Sequence, residues 1–271
     1  MLRRFIAVSI LAFVLSASLM VWAGGKAIIL ATTTSTQATG LLDKLLPAFT
    51  KATGIEVKPI AVGTGKAFEL AKSGNADVVM VHARKLEDAF VKDGFGVNAW
   101  DLMFNDFVIV GPKDDPAGLK ASANPADAFK KLAESGKSFI SRADKSGTYE
   151  REKELWAKAG ASMTAPAYIE AGQGMAETLQ MASEKAAYTL CDRATWLSMR
   201  AKVNLAVDYE NPQELKNSYA VIAVDQKKVP QAKTKLANTF ISWVTASEAQ
   251  SIIGSYSIDG ETLFHLSVGK R

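Results

Sequence analysis

Apolar and polar positions follow two alternating periods along the chain. Lys26–Ala31 is a short apolar run and is predicted to be a buried strand. Leu41, Leu42, Leu45, Leu46 and Phe49 then recur at helical spacing, and Gly54 closes that helix. The same alternation continues with strands at Ile55–Val62 and Asp77–His82, and helices at Lys66–Ser73 and Leu86–Lys92, the last ending at Gly94. Phe107–Val110 is a further apolar run, cut off by Gly111-Pro112. The pattern restarts with helices predicted at Pro125–Glu134, Thr148–Lys158, Met175–Glu184 and Ala194–Lys202. They are interleaved with strands at Ser138–Arg142, Tyr168–Glu170 and Ala187–Cys191. Tyr219–Val224 is a late strand, and the tail from Gln231 onward is predicted to be mostly helical.

Strands alternating with helices predict an α/β fold of largely parallel sheets covered on both faces. Two apolar strands, Asn105–Val110 and Tyr219–Val224, have the positions of crossings between two such units. The expected division is a first lobe of residues 24–108 plus 217–271 and a second lobe of residues 109–216. A chain that crosses twice leaves a cleft between its lobes, and such clefts favour small ligands.

Residues 1–23 differ from the rest. Arg3 and Arg4 precede the apolar stretch Phe5–Met20, and Val21 and Ala23 supply small residues before Gly24. This is the pattern of a cleaved export signal peptide, with cleavage near Ala23-Gly24 and export of the mature chain; a retained membrane anchor is the alternative, because the apolar run approaches the ~20 residues needed to span. The run is interrupted by Ser9, Ser16 and Ser18, and no cysteine lies near for a lipid anchor. The formal charge is +4, or +2 without Arg3 and Arg4, too small to suggest nucleic acid. One cysteine, Cys191, excludes an intrachain disulfide. With only His82 and His265 beside it, no transition-metal cation site and no resident cofactor are expected. The nucleophile and metalloprotease patterns G-x-S-x-G, H-E-x-x-H and C-x-x-C are missing from the sequence. The two histidines are read as structural, and Trp100, Trp156, Trp196 and Trp243 as packing residues.

Five strand-to-helix turns carry the candidate chemistry. In open α/β sheets, ligands sit at the carboxyl ends of strands, where helix starts offer free N–H groups. Thr32 to Thr36 are five consecutive hydroxyl residues at such a turn. One of them caps a helix; the others are donors suited to an anion. Val62-Gly63-Thr64-Gly65-Lys66 follows, in which glycines let backbone N–H groups approach a ligand. It is neither a Walker A loop nor a dinucleotide fingerprint, because Ile60, Ala67 and Phe68 occupy the defining positions. A plain tight turn fits the same residues. Ser141-Arg142-Ala143-Asp144-Lys145-Ser146-Gly147-Thr148 offers a guanidinium fork for an oxyanion, or an ion pair between Arg142 and Asp144. Glu170-Ala171-Gly172-Gln173-Gly174 and Cys191-Asp192-Arg193 complete the set; Arg193 suits an ion pair with Asp192 as well as a ligand.

The motifs ATTTSTQ-x-x-GLLD, VGTGKA, ADVVMVHAR, SR-x-D-x-SGT, EAGQGM and AYTLCDR together resemble the periplasmic tungstate-binding proteins of bacterial tungstate ABC importers. The resemblance spans nearly all of residues 26–260. It implies the two-lobed type II periplasmic-binding fold, with the ligand cleft between lobes. It also implies a non-enzymatic receptor that captures tungstate, tolerates molybdate, and delivers the oxyanion to the membrane permease of an ABC transporter. Carried over position by position, it implicates Thr33, Thr34 and Ser35; Thr64 and Gly65; Arg142, Ser146 and Thr148; and Arg193. The protein is expected to act as a monomer. The alternatives are a receptor for molybdate, sulfate or phosphate on the same fold, or an exported α/β enzyme acting on an anionic substrate. An enzyme needs a positioned acid, base or metal; a dianion receptor works with donors alone.

Overall fold

The computed structural model describes residues 26–144, 146–164 and 166–271. The expected signal peptide, residues 1–23, lies outside the described residues. The first strand, β1 (Ala27–Thr33), leads through a one-turn helix α1 (Thr34–Ala38) into α2 (Leu42–Thr53). Gly54 ends α2 in the left-handed conformation, φ 70°, which glycine adopts without a Cβ penalty. Next come β2 (Glu56–Val62), α3 (Thr64–Lys72), β3 (Val78–Val81), α4 (Arg84–Lys92) and the long β4 (Gly96–Gly111). The following stretch holds α5 (Pro125–Glu134), β5 (Phe139–Ser141), α6 (Gly147–Ala159), β6 (Tyr168–Glu170) and α7 (Met175–Glu184). It continues with β7 (Thr189–Asp192), α8 (Arg193–Met199) and β8 (Ala206–Glu210). The chain closes with β9 (Lys216–Val224), α9 (Thr234–Val244), α10 (Ser247–Ser255), β10 (Ser257–Ile258), β11 (Glu261–Thr262) and β12 (His265–Lys270).

One sheet runs β12-β4-β9-β3-β1-β2, and β7 and β8 also pair with β4. Its layers follow from strand alternation. Ile28 and Leu30 of β1 pack with Leu42, Leu45 and Phe49 of α2, whereas Ile29 and Ala31 face Ala67, Phe68 and Ala71 of α3. Both faces are covered, so the strand reads as a continuous apolar run. A separate cluster of Phe107, Ile109, Phe129, Leu132, Phe139, Trp156 and Tyr188 lies under α5 and α6.

The partners of β4 change midway. Gly96–Asp106 pairs with β9, and Phe107–Gly111 pairs with β7 and β8. The strand therefore joins two groups of elements, and β9 returns beside it in the opposite direction.

Three sequence expectations need correction. Pairing is parallel in β1–β2, β1–β3 and β5–β6, but antiparallel wherever β4 or β9 takes part, so the sheet is mixed. A strand that carries the chain out and one that brings it back necessarily run in opposite senses. Secondly, β4 begins at Gly96; residues 96–104 were not among the expected strands, because bulges between Val97/Trp100 and Asp101/Met103 break their two-residue period. Strand β8 was likewise not expected. Thirdly, the tail is helical only as far as Ser255. Residues 257–270 form a small hairpin and the edge strand β12, whose Leu266 and Val268 stay exposed.

Candidate functional site

The carboxyl ends of β1, β2, β3, β5 and β7 and the starts of α3, α6 and α7 meet in one region between the two groups of elements. Thr33 caps α1, its hydroxyl accepting the Thr36 N–H at 3.2 Å. Thr33 Oγ1 also lies 3.0 Å from Ser35 Oγ and 2.7 Å from Thr36 Oγ1, forming a hydroxyl cluster. Both Thr33 Oγ1 and Ser35 Oγ are 3.2 Å from Nε2 of His82, which follows β3. Thr64 begins α3, and its hydroxyl accepts the N–H of Gly147, the first residue of α6, at 3.3 Å. This bond joins the β2–α3 turn to the β5–α6 turn, 83 residues away in sequence. Gly65, next in α3, is half-buried.

Close backbone approach explains two glycines. A Cβ at Gly147 would stand 2.6 Å from the His82 carbonyl oxygen, and one at Gly63 would stand 3.2 Å from the Asp144 carbonyl. A Cβ at Gly174, the cap of α7, would stand 2.6 Å from Glu177 Oε2 and 3.7 Å from Thr34 Oγ1.

Arg142 follows β5 and is only 2 % exposed. Its Nη2 donates to Asp144 Oδ2 at 2.5 Å, while Nε and Nη1 make no hydrogen bond among the described residues. The hydroxyls of Thr34 and Thr148 are buried in the same condition. Native interiors rarely bury donors unpaired, because each costs about 1–3 kcal/mol. Four such donors lie on the segments that follow β1 and β5. Ser146 caps α6, accepting from the Tyr149 N–H at 3.2 Å, which leaves its own hydroxyl proton uncommitted.

The nearby carboxylates are already engaged. Asp144 holds Arg142 and the Ser146 N–H, and Asp192 caps α8 through the N–H and hydroxyl of Thr195. Burial pushes the His82 imidazole below its ordinary value, against the opposing pull of Asp192, and favours the neutral ring. Behind the site, Glu152 accepts from Ser141, Trp156 and Tyr168, and burial raises its carboxyl to about 7.

Arg193 is paired with other carboxylates. The ion pair expected with Asp192 is not formed; Arg193 instead makes a two-pronged pair with Asp106 at 2.6 and 2.8 Å and reaches Glu210 at 2.5 Å. Asp192 turns inward to cap its own helix, so the guanidinium bridges β4 and β8. The structure thus brings Thr33, Thr34, Ser35, Thr64, Gly65, Arg142, Ser146 and Thr148 to one region and commits Arg193 to two carboxylates at its border. Sequence reasoning missed the reach of His82 and the buried Asn217 behind it. The available signal was the placement of His82 at the carboxyl end of a strand, between two of the loops already singled out.

A model described as a PBP superfamily domain matches residues 21–248. The chain belongs to the PBP superfamily. Within it the chain is 46 % identical over 248 residues to the tungstate-binding protein TupA of Peptoclostridium acidaminophilum, covering 90 % of this chain and 86 % of that protein. The same superfamily fold appears in the crystal structure of the tungstate ABC transporter from Geobacter sulfurreducens. That structure has a TM-score of 0.79 and 50 % identity, covering 85 % of this chain and 98 % of the other. The tungstate-binding protein TupA from Desulfovibrio alaskensis G20 has a TM-score of 0.77 and 41 % identity, over 90 % and 100 % of the two chains. This PBP-superfamily chain is therefore a member of the tungstate-binding protein family. Among the described residues, no helix is long and apolar enough to cross a membrane.

Proposed function

We propose that this protein is a periplasmic receptor that captures tungstate, with molybdate also accepted, and hands it to the permease of an ABC importer without chemical turnover. The observation that carries this reading is the set of unpaired buried donors: Arg142 Nε and Nη1, Thr34 Oγ1 and Thr148 Oγ1. They lie among turns donated by both groups of elements that β4 joins. A tetrahedral dianion offers acceptors in several directions and needs no proton acceptor in return. Thr33, Thr34, Ser35, Thr64 and Gly65 belong to the lobe of residues 24–108 plus 217–271. Arg142, Ser146 and Thr148 belong to the lobe of residues 109–216. The change of partner along β4 between Asp106 and Phe107 supports this division. Arg142 supplies the full charge, and the starts of α3 and α6 supply partial positive charge. Arg193 contributes at most through the field at the border of the site.

Engagement of Asp144 and Asp192 disfavours phosphate. At neutral pH phosphate still carries a proton, which needs an acceptor, and both carboxylates already serve other donors. A thermal-shift panel of tungstate, molybdate, sulfate and phosphate tests the reading. Tungstate at ~100 times its dissociation constant adds about 2.7 kcal/mol, on the order of 5–10 °C in melting temperature. Phosphate is expected to give little shift at millimolar concentration. A shift with phosphate or a sugar but none with tungstate would overturn the assignment.

A further inference from the structure

The hydroxyl cluster after β1 is wired to a buried relay. His82 Nδ1 lies 3.0 Å from Asn217 Oδ1, and Asn217 Nδ2 donates to Asn105 Oδ1 at 2.8 Å. In this arrangement the Asn217 oxygen faces the ring, its Nδ2 also lies 3.4 Å from the Tyr219 hydroxyl, and Asn105 Nδ2 has no partner among the described residues. An amide oxygen only accepts, which places a proton on Nδ1. The open position is Nε2, midway between the hydroxyls of Thr33 and Ser35. Unprotonated, Nε2 accepts, and one of the two hydroxyls must spend its single proton on the ring. Protonated, Nε2 donates, and the hydroxyl proton it had held is free to turn to another acceptor.

We propose that His82 is the positioning residue of the oxyanion site, and that each bound anion draws one proton from solvent onto Nε2, releasing to the anion the Thr33 or Ser35 hydroxyl proton that the imidazole had held. This inference rests on the receptor reading above. Every element packed on the ring bears on it. Asp192 at the end of β7 and Asp144 in the β5–α6 turn favour the charged ring; Arg142 opposes it, as does burial. From β1 and α1 the ring meets hydroxyls, and from β9 the Asn217 amide and the Tyr219 ring, stacked at 4.6 Å; the cavity that His82 lines also holds Arg84 and Lys85 of α4, Glu150 and Arg151 of α6, and Lys216 of β9. The free ring is therefore held neutral by burial in a place where two carboxylates already offset one guanidinium. A dianion beside Arg142 adds negative charge at short range and reverses the balance. One proton enters with each anion, and no other bond changes.

Titration calorimetry of the mature chain with sodium tungstate in Tris and in HEPES at the same pH measures proton uptake directly. The expected result is uptake approaching one proton, with apparent affinity falling by up to tenfold per pH unit as pH rises above neutrality. Tungstate itself carries no proton in that range. The sequence holds two histidines, so nitrogen-15 spectra of histidine-labelled protein contain two rings, and His265→Gln assigns them. The His82 Nε2 signal should move to the imidazolium position on adding tungstate. Glu152→Gln should retain the uptake, whereas His82→Gln should abolish it and flatten the pH profile. Tungstate binding without proton uptake, an unmoved His82 signal, or uptake that vanishes in Glu152→Gln would overturn the proposal while leaving the receptor intact. No heat with tungstate in any buffer would instead refute the receptor reading.

Discussion

Arg142 and Arg193 show how two arginines of similar sequence context come to different roles. Each follows a strand and stands near an aspartate, yet Arg142 is buried with two nitrogens unpaired, and Arg193 is paired with Asp106 and Glu210 through Nε and Nη2. Arg142→Ala is expected to weaken tungstate binding by about 2–5 kcal/mol, as when one partner of a buried charge pair is removed. Arg142→Lys restores charge without the planar fork and should fall between wild type and Ala. Arg193→Ala should change binding less but lower stability by about 1–3 kcal/mol, because buried Asp106 loses its partner. Calorimetry for binding and chemical denaturation for stability separate the two effects, with circular dichroism confirming the fold. Glu152 makes a pH prediction at the same scale. Its carboxyl titrates near 7 when folded and near 4.5 when unfolded, so between those values the folded state binds more protons than the unfolded state. Stability from this group is therefore greatest below pH 4.5, declines as pH rises toward 7, and stays low above it. Glu152→Gln removes the decline, and its stability relative to wild type should rise by on the order of 2–3 kcal/mol from pH 5 to pH 8. Denaturation midpoints of both proteins at the two pH values check this; parallel pH curves would count against it.

Among the elements, the starts of α3 and α6 depend on backbones that touch. Gly147 admits no side chain, because its Cβ would meet the His82 carbonyl at 2.6 Å and neither backbone can yield without moving β3 or α6. Gly147→Ala should therefore cost about 1–3 kcal/mol of stability and weaken tungstate binding by displacing Thr148 and the bond to Thr64. Differential scanning fluorimetry with and without tungstate reads both losses; a variant matching wild type in both would show that the contact is soft. Most elements were legible beforehand, since strands such as Val78–Val81 are unbroken apolar runs and helices such as Pro125–Glu134 carry a clean period. The N-terminal half of β4 and the whole of β12 were not. In the first, bulges disturb the alternation; the second is an edge strand with exposed apolar residues, held by its pairing with β4.

For the whole molecule, the question is how two groups of elements hold one ligand. Besides the Thr64–Gly147 bond, Lys85 of α4 reaches Glu154 of α6 at 2.9 Å, a second link across the cleft. That pair is largely exposed and contributes little by itself. A dianion gripped from both sides stabilises the closed arrangement by its differential affinity. Small-angle scattering should therefore give a smaller radius of gyration with saturating tungstate than without. An unchanged radius would mean that the lobes stay closed without ligand or that one lobe holds the anion alone.

The sequence alone determined the α/β alternation, the five donor-rich turns and the absence of nucleophile motifs, because each is written in neighbouring residues. Periodicity, caps and glycine stops act within a few positions, so they are readable without a fold. What the tertiary structure decided is which of these turns meet. Thr64 finds Gly147 across 83 positions, and His82 finds Asn217 across 135. It also decided that Arg193 answers Asp106 rather than its neighbour Asp192, and that His82 stands behind the hydroxyls rather than merely in the core. Pairings between distant residues are set by strand order and burial. Local pattern does not encode strand order, and a buried charge selects whichever partner the packed chain places against it.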